Sequence, residues 1–299
     1  MRFTLRQLEV FLAVARSESV SRAAEELAMS QSAVSGALGD LEQQFGIQLF
    51  DRIGKRLQLS ALGRSLRPES VALYEQAQHL ERAFSNQSDA GLLRVGATLT
   101  IGNHVVVPLM ARFMREHPGA RVQLEVANTA EIARRVNNFE IDVGLVEGEL
   151  QEPNLILSPW CPDELVVFCA PRHPFARKGT LADDDLLDAA WIVRERGSGT
   201  RQAFEHAMFG LLSNLNITLE LQQTEAIKSA VEAGLGVGCV SRLAVADALR
   251  HGTLVACEVP GRDFRRQFSF VLHQNKFQSA ALQRWLELCA SWPESSPPG

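Results

Sequence analysis

The chain has 299 residues, of which 46% are apolar and 22% charged, and its formal net charge is −5. Because a single hydrophobic core seldom serves so many residues, the length predicts two or three domains, and the composition excludes a disordered chain. No apolar run approaches the roughly 20 residues that cross a bilayer, which excludes a transmembrane protein.

The N-terminus and the cysteines indicate the compartment. Arg6, Glu9 and Arg16 interrupt the apolar stretch that a signal peptide requires, so secretion is not expected. The cysteines are odd in number and form no CxxC pair, which argues against a disulfide framework and a zinc site. They are Cys161, Cys169, Cys239, Cys257 and Cys289. Together these features predict a cytoplasmic protein.

Charge is divided unevenly along the chain. Residues 1–67 hold 9 lysine and arginine against 7 aspartate and glutamate, a net of +2. The remainder holds 21 against 28, a net of −7. This division favours two parts with different partners, although a spread without functional meaning fits the charges equally well.

The first 46 residues predict a helix-turn-helix. Apolar residues at helical spacing over 4–15 indicate a first helix. Ser19 or Ser21 can cap a short second helix, and a third runs over about 31–45 and stops at Gly46. Two short helices joined by a tight turn are typical of DNA-binding domains, although an ordinary helical hairpin has the same spacing.

Small and amide side chains at the start of the third predicted helix favour DNA binding. A recognition helix inserts this end into the major groove, where glutamine can bond an adenine edge. The following LFDRIGKRLQLS predicts a two-stranded basic wing whose arginines meet phosphates. The candidate DNA-binding residues are Ser21, Gln31, Ser32, Ser35, Gly36, Arg52, Lys55 and Arg56.

A long helix is predicted from Ser60 to about Gln87, with Pro68 bending or restarting it in its first turns. Two sets of side chains spaced by seven residues form a coiled-coil seam, which indicates a dimer. Packing against the same chain is the alternative. The candidate dimerisation residues are Leu66, Leu73, Ala77, Leu80 and Phe84, with Ser70 on the same face. The polar segment SNQSDAG (85–91) then predicts a hinge.

Short apolar segments separated by helical ones follow the hinge. LLRVGAT, VQLEVAN, IDVGLV, ELVVFCA, AWIVRE, LELQQT, GVGCVS and QFSFVLH all have the composition of buried strands. Their alternation with helices predicts an α/β fold with parallel strands. Ligands in such folds bind at the carboxyl ends of the strands.

The sequence TLRQLEVFLAVARSESVSRAAEELAMSQSAVSGALGDLEQQFGIQLFDRIGKRLQLSALG resembles the DNA-binding domain of LysR-type transcriptional regulators. TIGNHVVVP, PWCPDELVVFCAP, RERGSGTR and EAIKSAVEAGLGVGCVSR extend the resemblance over the body and are similar to the YeiE branch. The segment Gly36–Gly39 departs from many members, which carry a bulky or basic residue in place of a glycine. Base preference at those positions is therefore not transferred.

The resemblance implies a winged helix-turn-helix, a linker helix and a two-lobed, periplasmic-binding-protein-like effector domain with Rossmann-like lobes. Their predicted ranges are 1–59, 60–90 and 91–299, with lobe I at about 91–163 and 267–290 and lobe II at about 164–266. It also implies a homodimer or homotetramer on promoter palindromes of double-stranded DNA and contact with RNA polymerase. No membrane contact, cofactor or metal is expected.

The strand ends predict one anion-binding pocket. Hydroxyls and backbone amides at helix N-termini attract anions, because unpaired N–H groups and the helix dipole point there. Helix capping is the alternative for each residue alone. The candidate effector-binding residues are Thr98, Thr100, Ile101, Asn128, Thr129, Glu147, Arg194, Gly197, Ser198, Gly199, Thr200, Thr224 and Glu225.

A small anion is the expected effector, and the YeiE branch implies a sulfur oxyanion such as sulfite. Glu147 complicates this, since a carboxylate repels a fully ionised anion. Three arrangements resolve this conflict. Glu147 faces away from the ligand, it pairs with the amino group of an amino-acid-like ligand, or it shares a proton with the ligand. Sulfite carries a proton near neutrality far more readily than sulfate, so the third case predicts sulfite over sulfate.

Other functions are less well supported by the sequence. A solute-binding protein fits the body alone but not the helix-turn-helix. An enzyme lacks support, since the chain has no G-x-S-x-G and no serine or cysteine paired with histidine. Gly234–Gly238 lacks the order of a dinucleotide loop, and the histidines lack metal spacing. A regulator that responds to an amino or carboxylic acid remains an alternative.

Overall fold

A computed structural model describes residues 2–53, 56–84 and 92–292. The chain divides into two compact units. The first comprises Met1–Asp89 with Gln274–Ala280, and the second comprises Ala90–His273 with Ala281–Gly299. The boundaries set out above for the three domains stay predictions.

The first unit begins with three helices and a two-stranded hairpin. They are α1 (Leu5–Ser17), α2 (Val20–Glu26), α3 (Gln31–Phe45), β1 (Phe50–Ile53) and β2 (Arg56–Leu59). Thr4, Ser19 and Ser30 cap the helices by accepting backbone N–H groups. Ser21 lies inside α2, so the alternative that it caps this helix is wrong. Gly46 ends α3 in the left-handed conformation at φ 65°.

The helices and the hairpin share one apolar core. Val10, Phe11 and Val14 of α1 are fully buried, together with Val34 of α3. The ring of Phe11 meets Phe50 of β1 edge to face, with centroids 5.8 Å apart. This packing joins the hairpin to the helices, which is the arrangement of a winged helix-turn-helix.

The long helix α4 spans Ala61–Phe84. The Ser60 hydroxyl accepts the N–H of Gly63 and so caps its first turn. The helix passes through Pro68 without interruption, so the predicted restart there is wrong. A proline removes one backbone hydrogen bond, and the turns on both sides of Pro68 nonetheless remain helical.

The second unit holds a nine-stranded mixed sheet among the described residues, in the order β4-β3-β5-β11-β6-β9-β7-β8 with β10 beside β6. The strands are β3 (Leu92–Thr98), β4 (Arg121–Ala127), β5 (Val143–Glu147), β6 (Leu155–Cys169), β7 (Ala190–Arg194), β8 (Asn216–Leu221), β9 (Val237–Ser241), β10 (Val255–Cys257) and β11 (Arg265–His273).

The helices of the second unit cover this sheet. They are α5 (Leu99–Ile101), a π-helical turn (Gly102–Val106), α6 (Val107–Glu116), α7 (Thr129–Asn137), α8 (Pro174–Lys178), α9 (Asp183–Asp188), α10 (Gly199–Ala207), α11 (Thr224–Glu232), α12 (Arg242–His251) and α13 (Ala280–Ala290), with a 3-10 turn at Leu212–Asn214.

The strands are not all parallel, in contrast to the prediction from their alternation with helices. β3 is parallel to β4 and β5, and β7 is parallel to β8 and β9. β6 and β11 instead run antiparallel to each other and to their other neighbours. These two strands connect the parallel groups, which form the two lobes.

Separate apolar cores support the lobes. Trp285 of α13 and Phe113 of α6 pack edge to face in lobe I, with ring centroids 5.4 Å apart. Trp191 and Phe204 pack together in lobe II. β6 pairs with β11 up to Glu164 and with β9 from Leu165 onward, so this strand passes from one lobe to the other.

Candidate functional sites

Glu147 ends β5 and is almost fully buried, with 1% of its surface exposed. Hydroxyl groups from both lobes donate to its carboxylate. Thr98 donates to Oε2, Thr100 to Oε1 at 3.3 Å and Thr200 to Oε1 at 3.5 Å. Three of the hydroxyls predicted to hold an anion therefore meet at one carboxylate.

Arg266 completes this group from β11. Its Nη1 donates to the Thr200 hydroxyl at 2.9 Å and lies 3.8 Å from Glu147 Oε1. Its Nε donates to Asp163 Oδ2 at 2.7 Å, and the Ser241 hydroxyl donates to Asp163 Oδ1. Thr98, Thr100, Glu147, Asp163, Thr200, Ser241 and Arg266 are called the Glu147 cluster below.

The formal charge of the Glu147 cluster restricts what can bind there. Two carboxylates face one guanidinium, and the side chains of Glu147, Asp163 and Arg266 are each at most 4% exposed. With both acids ionised, the cluster carries a net charge of −1. Adding a dianion to a buried site that is already negative is strongly unfavourable, because charges interact more strongly away from water.

The two lobes meet beside the Glu147 cluster. The Thr129 hydroxyl donates to the backbone oxygen of Glu147 at 2.8 Å and accepts the N–H of Gly199 at 3.1 Å. A Cβ atom at Gly199 would overlap the Glu147 carbonyl oxygen, so only glycine fits this approach. The start of α10 is thereby held against the end of β5.

A second polar group lies at the same edge. The Asn128 amide donates to Glu195 at 3.2 Å, and Glu195 also receives both Nε and Nη2 of the buried Arg194. The Gly197 carbonyl accepts the N–H of Ala130 at 3.2 Å. These contacts connect the loop after β7 to the start of α7.

Two cavities flank the contact between Glu147 and Gly199. One, of about 460 Å³, is lined by Thr129 and Ala130 from lobe I and by residues 196–199, 201 and 202 from lobe II. The other, of about 450 Å³, is lined by Gly148 and by Arg266 among others. Both have room for a small anion with its water shell.

The structure brings together only part of the predicted effector set. Thr98, Thr100, Thr129, Glu147, Gly199 and Thr200 meet at the cluster and the lobe contact, and Asn128, Arg194 and Gly197 form the second group. Ile101 points into the core of lobe I. Ser198 caps α10. Thr224 is buried at the start of α11, and Glu225 is exposed and pairs with Lys228.

The π-helical turn carries His104, which sequence reasoning did not select. Burial lowers the pKa of His104, and the positive charge of Lys228 lowers it further. Lys228 belongs to lobe II and His104 to lobe I, so this electrostatic effect acts between the lobes. Single π turns within helices often occur at functional sites.

The start of α3 presents the predicted base-reading residues to solvent. Gln31, Ser32, Ser35 and Gly36 are all exposed, whereas Val34 faces the core. Ser21 of α2 and Arg52 of β1 are exposed as well. The backbone of Arg56 pairs with Ile53 in the wing. Lys55 and the side chain of Arg56 lie outside the described residues.

The predicted seam of α4 is largely exposed in the single chain. Leu73, Leu80 and Phe84 are 39%, 53% and 81% exposed, and Ala77 is half-buried. Leu66 instead packs partly against the core of the first unit. An apolar stripe of this length on one helix is the pattern of a coiled-coil partner surface.

None of the described helices combines the length and the apolar character that crossing a membrane demands. In the same part of the chain, no three histidine, cysteine, aspartate or glutamate side chains are grouped in a way that could hold a metal ion.

Family models match both parts of the chain. The model described as "Bacterial regulatory helix-turn-helix protein, lysR family" matches residues 5–64, and that described as "LysR substrate binding domain" matches residues 86–293. The chain belongs to the LysR family. It is therefore a DNA-binding transcriptional regulator with an effector-binding domain.

Relatives of this LysR-type regulator are similar over nearly their whole length. The chain is 44% identical to the uncharacterized HTH-type transcriptional regulator YeiE of Escherichia coli strain K12, covering 97% of the chain and 98% of the relative. It is 32% identical to a RuBisCO operon transcriptional regulator of Allochromatium vinosum, covering 97% of each. Full-length OxyR from Pseudomonas aeruginosa shares the fold at a TM-score of 0.76 and 21% identity, covering 97% of this chain and 94% of that one.

Proposed function

We propose that this LysR-type regulator senses a small oxyanion, sulfite, in the cleft between its lobes. The observation that carries the proposal is the Glu147 cluster, where hydroxyls of Thr98, Thr100 and Thr200 and the Arg266 guanidinium converge. These are the donor types that stabilise an oxyanion. In the structure they are engaged by the carboxylate of Glu147, an anion supplied by the chain itself.

Glu147 favours an anion that can share a proton. A sulfite monoanion brings one proton and one negative charge, so its proton can lie between a sulfite oxygen and the Glu147 carboxylate. Sulfate is a dianion near neutral pH and brings no proton. The repulsion from Glu147 and Asp163 therefore acts fully against sulfate and only partly against sulfite.

An amino or carboxylic acid is the second candidate effector. The buried Glu147 carboxylate can accept an ammonium group, and the second polar group around Asn128 can hold a carboxylate. The effector domain of QuiR, 19% identical to this chain, has been solved with shikimate. The regulatory domain of CcmR from Synechocystis, 28% identical, has been solved with 2-PG.

The DNA-binding part acts on promoter DNA in the same proposal. The exposed start of α3 enters the major groove, and the wing meets the phosphates. CbnR, with the same fold at a TM-score of 0.58, has been solved with its target DNA. A homodimer or homotetramer held by α4 places two or more such heads on a palindrome.

Effector binding is coupled to DNA through the assembly. An anion that replaces or protonates Glu147 changes the contact between the end of β5 and the start of α10, and so changes the closure of the lobes. In a dimer or tetramer this alters the spacing of the DNA-binding heads and the bend of the DNA. A changed contact with RNA polymerase follows from that bend.

Calorimetry of the full-length protein tests the effector. Wild type is expected to bind sulfite more tightly than sulfate. Glu147→Gln removes the negative charge with little change in shape, so sulfate is expected to gain about tenfold in affinity relative to sulfite, or ~1.4 kcal/mol. The matched control is Glu152→Gln, on the exposed loop after β5, which is expected to leave both affinities unchanged.

The outcomes separate the two candidates. Equal affinity for sulfite and sulfate in wild type, or no binding of either, contradicts the oxyanion proposal. Binding of an amino or carboxylic acid in their place supports the second candidate. Thermal unfolding of Glu147→Gln, measured beside wild type, shows whether the variant retains its fold before its affinities are compared.

A further inference from the structure

Two cysteines of lobe II lie in contact across neighbouring strands. Cys169 ends β6, and Cys257 ends the adjacent antiparallel strand β10. Cys169 lies opposite Val255, and Cys257 lies opposite Val167, so the cysteines are diagonal neighbours on one face of the sheet. Their Sγ atoms are 3.7 Å apart.

Only a small movement of the two sulfur atoms is needed to form a disulfide. A disulfide has an S–S length of about 2.05 Å, so the sulfur atoms must approach by about 1.7 Å. β10 has three residues, all paired with β6, and among the described residues its other side is bridged at Glu258, which follows Cys257 and pairs with Thr180. A short strand with so few backbone bonds can take up such a shift more easily than a strand paired along both edges.

One of the two thiols is within reach of a small oxidant. Cys257 lies in the wall of a groove of about 780 Å³, which is also lined by Arg242, Arg262 and Arg265. The exposed fraction of Cys257 is 5%, whereas Cys169 behind it is completely buried. An oxidant in the groove therefore meets Cys257 first, with Cys169 positioned to react second.

We propose that Cys169 and Cys257 are a redox-active pair that closes to a disulfide when the regulator meets hydrogen peroxide. The Cys257 sulfur, after losing its proton, attacks one peroxide oxygen. The S–O bond forms as the O–O bond breaks, and the leaving hydroxide takes up a proton to become water. The Cys169 sulfur then attacks Cys257, the S–S bond replaces the S–O bond, and a second water leaves with the Cys169 proton. Two thiols are oxidised and one peroxide is reduced to two waters.

The surroundings of the pair make this reaction slow. The hydrogen bond between the two thiols lowers the pKa of Cys169, whereas that bond and burial raise the pKa of Cys257, so little of the thiol that faces the groove is thiolate at neutral pH. Millimolar peroxide is therefore the appropriate probe. The bond ties β10 to β6, which carries Asp163 of the Glu147 cluster six residues before Cys169.

Peptide mass spectrometry of the full-length protein tests the pair. The protein is exposed to millimolar hydrogen peroxide, denatured, alkylated and digested without reduction by trypsin and a glutamate-specific protease. These leave LVVFCAPR (165–172) and HGTLVACE (251–258), each with one cysteine. The expected result is a cross-linked peptide of these two segments, lighter by two hydrogen atoms than their sum and separated by dithiothreitol.

Cys239 provides the matched control. It is buried in the same core and lies on β9, opposite Val167 on the other side of β6. Cys239→Ser is expected to retain the cross-link, whereas Cys169→Ser is expected to lose it. The proposal is overturned if wild type yields no cross-link of these segments, whether its thiols remain reduced, end as sulfinic acids or pair with Cys239.

Discussion

At the scale of single residues, Tyr74 gives a direct spectroscopic readout because it is the only tyrosine in the chain. Its hydroxyl donates to Glu9 at 2.6 Å, which connects α4 to α1. Burial and this hydrogen bond raise the pKa of Tyr74 from 10 to about 12. We therefore expect tyrosinate absorbance in the folded protein to rise with a midpoint near pH 12, against about pH 10 in denaturant.

The same shift predicts how stability depends on pH. A raised pKa in the folded state favours the protonated form, so its contribution to stability is fully present below pH 10 and is lost between pH 10 and 12. Glu9→Gln removes the carboxylate and is expected to lower the midpoint toward 10. If the midpoint is unchanged in Glu9→Gln, the hydrogen bond with Glu9 does not contribute to the raised pKa of Tyr74.

The Glu147 cluster shows which site residues a sequence can reveal. Thr98 and Glu147 were predictable because each is the last residue of an apolar strand, at an end where ligands bind. Asp163 and Arg266 were not selected, since they are 103 residues apart and meet only through the antiparallel register that places them opposite each other. Register between distant strands depends on the packing of the whole sheet, which local spacing does not contain.

At the scale of secondary-structure elements, α3 and the wing are predicted to differ in how they bind DNA. Gln31→Ala and Ser35→Ala remove exposed side chains at the start of α3 and are expected to cost about 1–3 kcal/mol on the cognate site and to relax base preference. Arg52→Ala in β1 removes a predicted phosphate contact, so it is expected to weaken binding to all sequences and to reduce the salt slope by about one unit.

Fluorescence anisotropy over a salt series distinguishes the two elements. Each variant is measured on the regulator's own upstream DNA and on a scrambled duplex of equal length. The assignment is wrong if Gln31→Ala weakens both duplexes equally while Arg52→Ala leaves the salt slope unchanged. Arg250→Ala, which removes an exposed positive charge from α12 in the second unit, is the control for general effects of charge.

The elements also show where local pattern stops being informative. The helices of the first unit were predicted to within a few residues because their caps are local hydrogen bonds. β6 was predicted only over its second half. Its first half contains Pro159 and Pro162, which usually argue against a strand, yet β11 pairs with this half around a register shift beside Trp160. β10 was missed because three residues carry no period.

At the scale of the whole molecule, we predict that assembly depends on the exposed apolar stripe of α4. Leu73, Leu80 and Phe84 have no partner surface of comparable size in the single chain that the structure describes. A second α4 would bury them, and burial of apolar surface is the main stabilising contribution to such a contact. The proposed coupling between effector and DNA requires a dimer, and it therefore requires this stripe.

Leu73→Glu tests this assembly against a variant of equal exposure on the same helix. Leu73 and Leu62 are both 39% exposed, but only Leu73 belongs to the seven-residue repeat. A carboxylate at position 73 would be placed inside the dimer contact, so Leu73→Glu is expected to yield monomers in light scattering. DNA affinity is expected to fall with it, since two half-sites are no longer bound together. Leu62→Glu is expected to remain dimeric. An intact dimer in Leu73→Glu, or monomers in both variants, means that the subunits are held together by another surface.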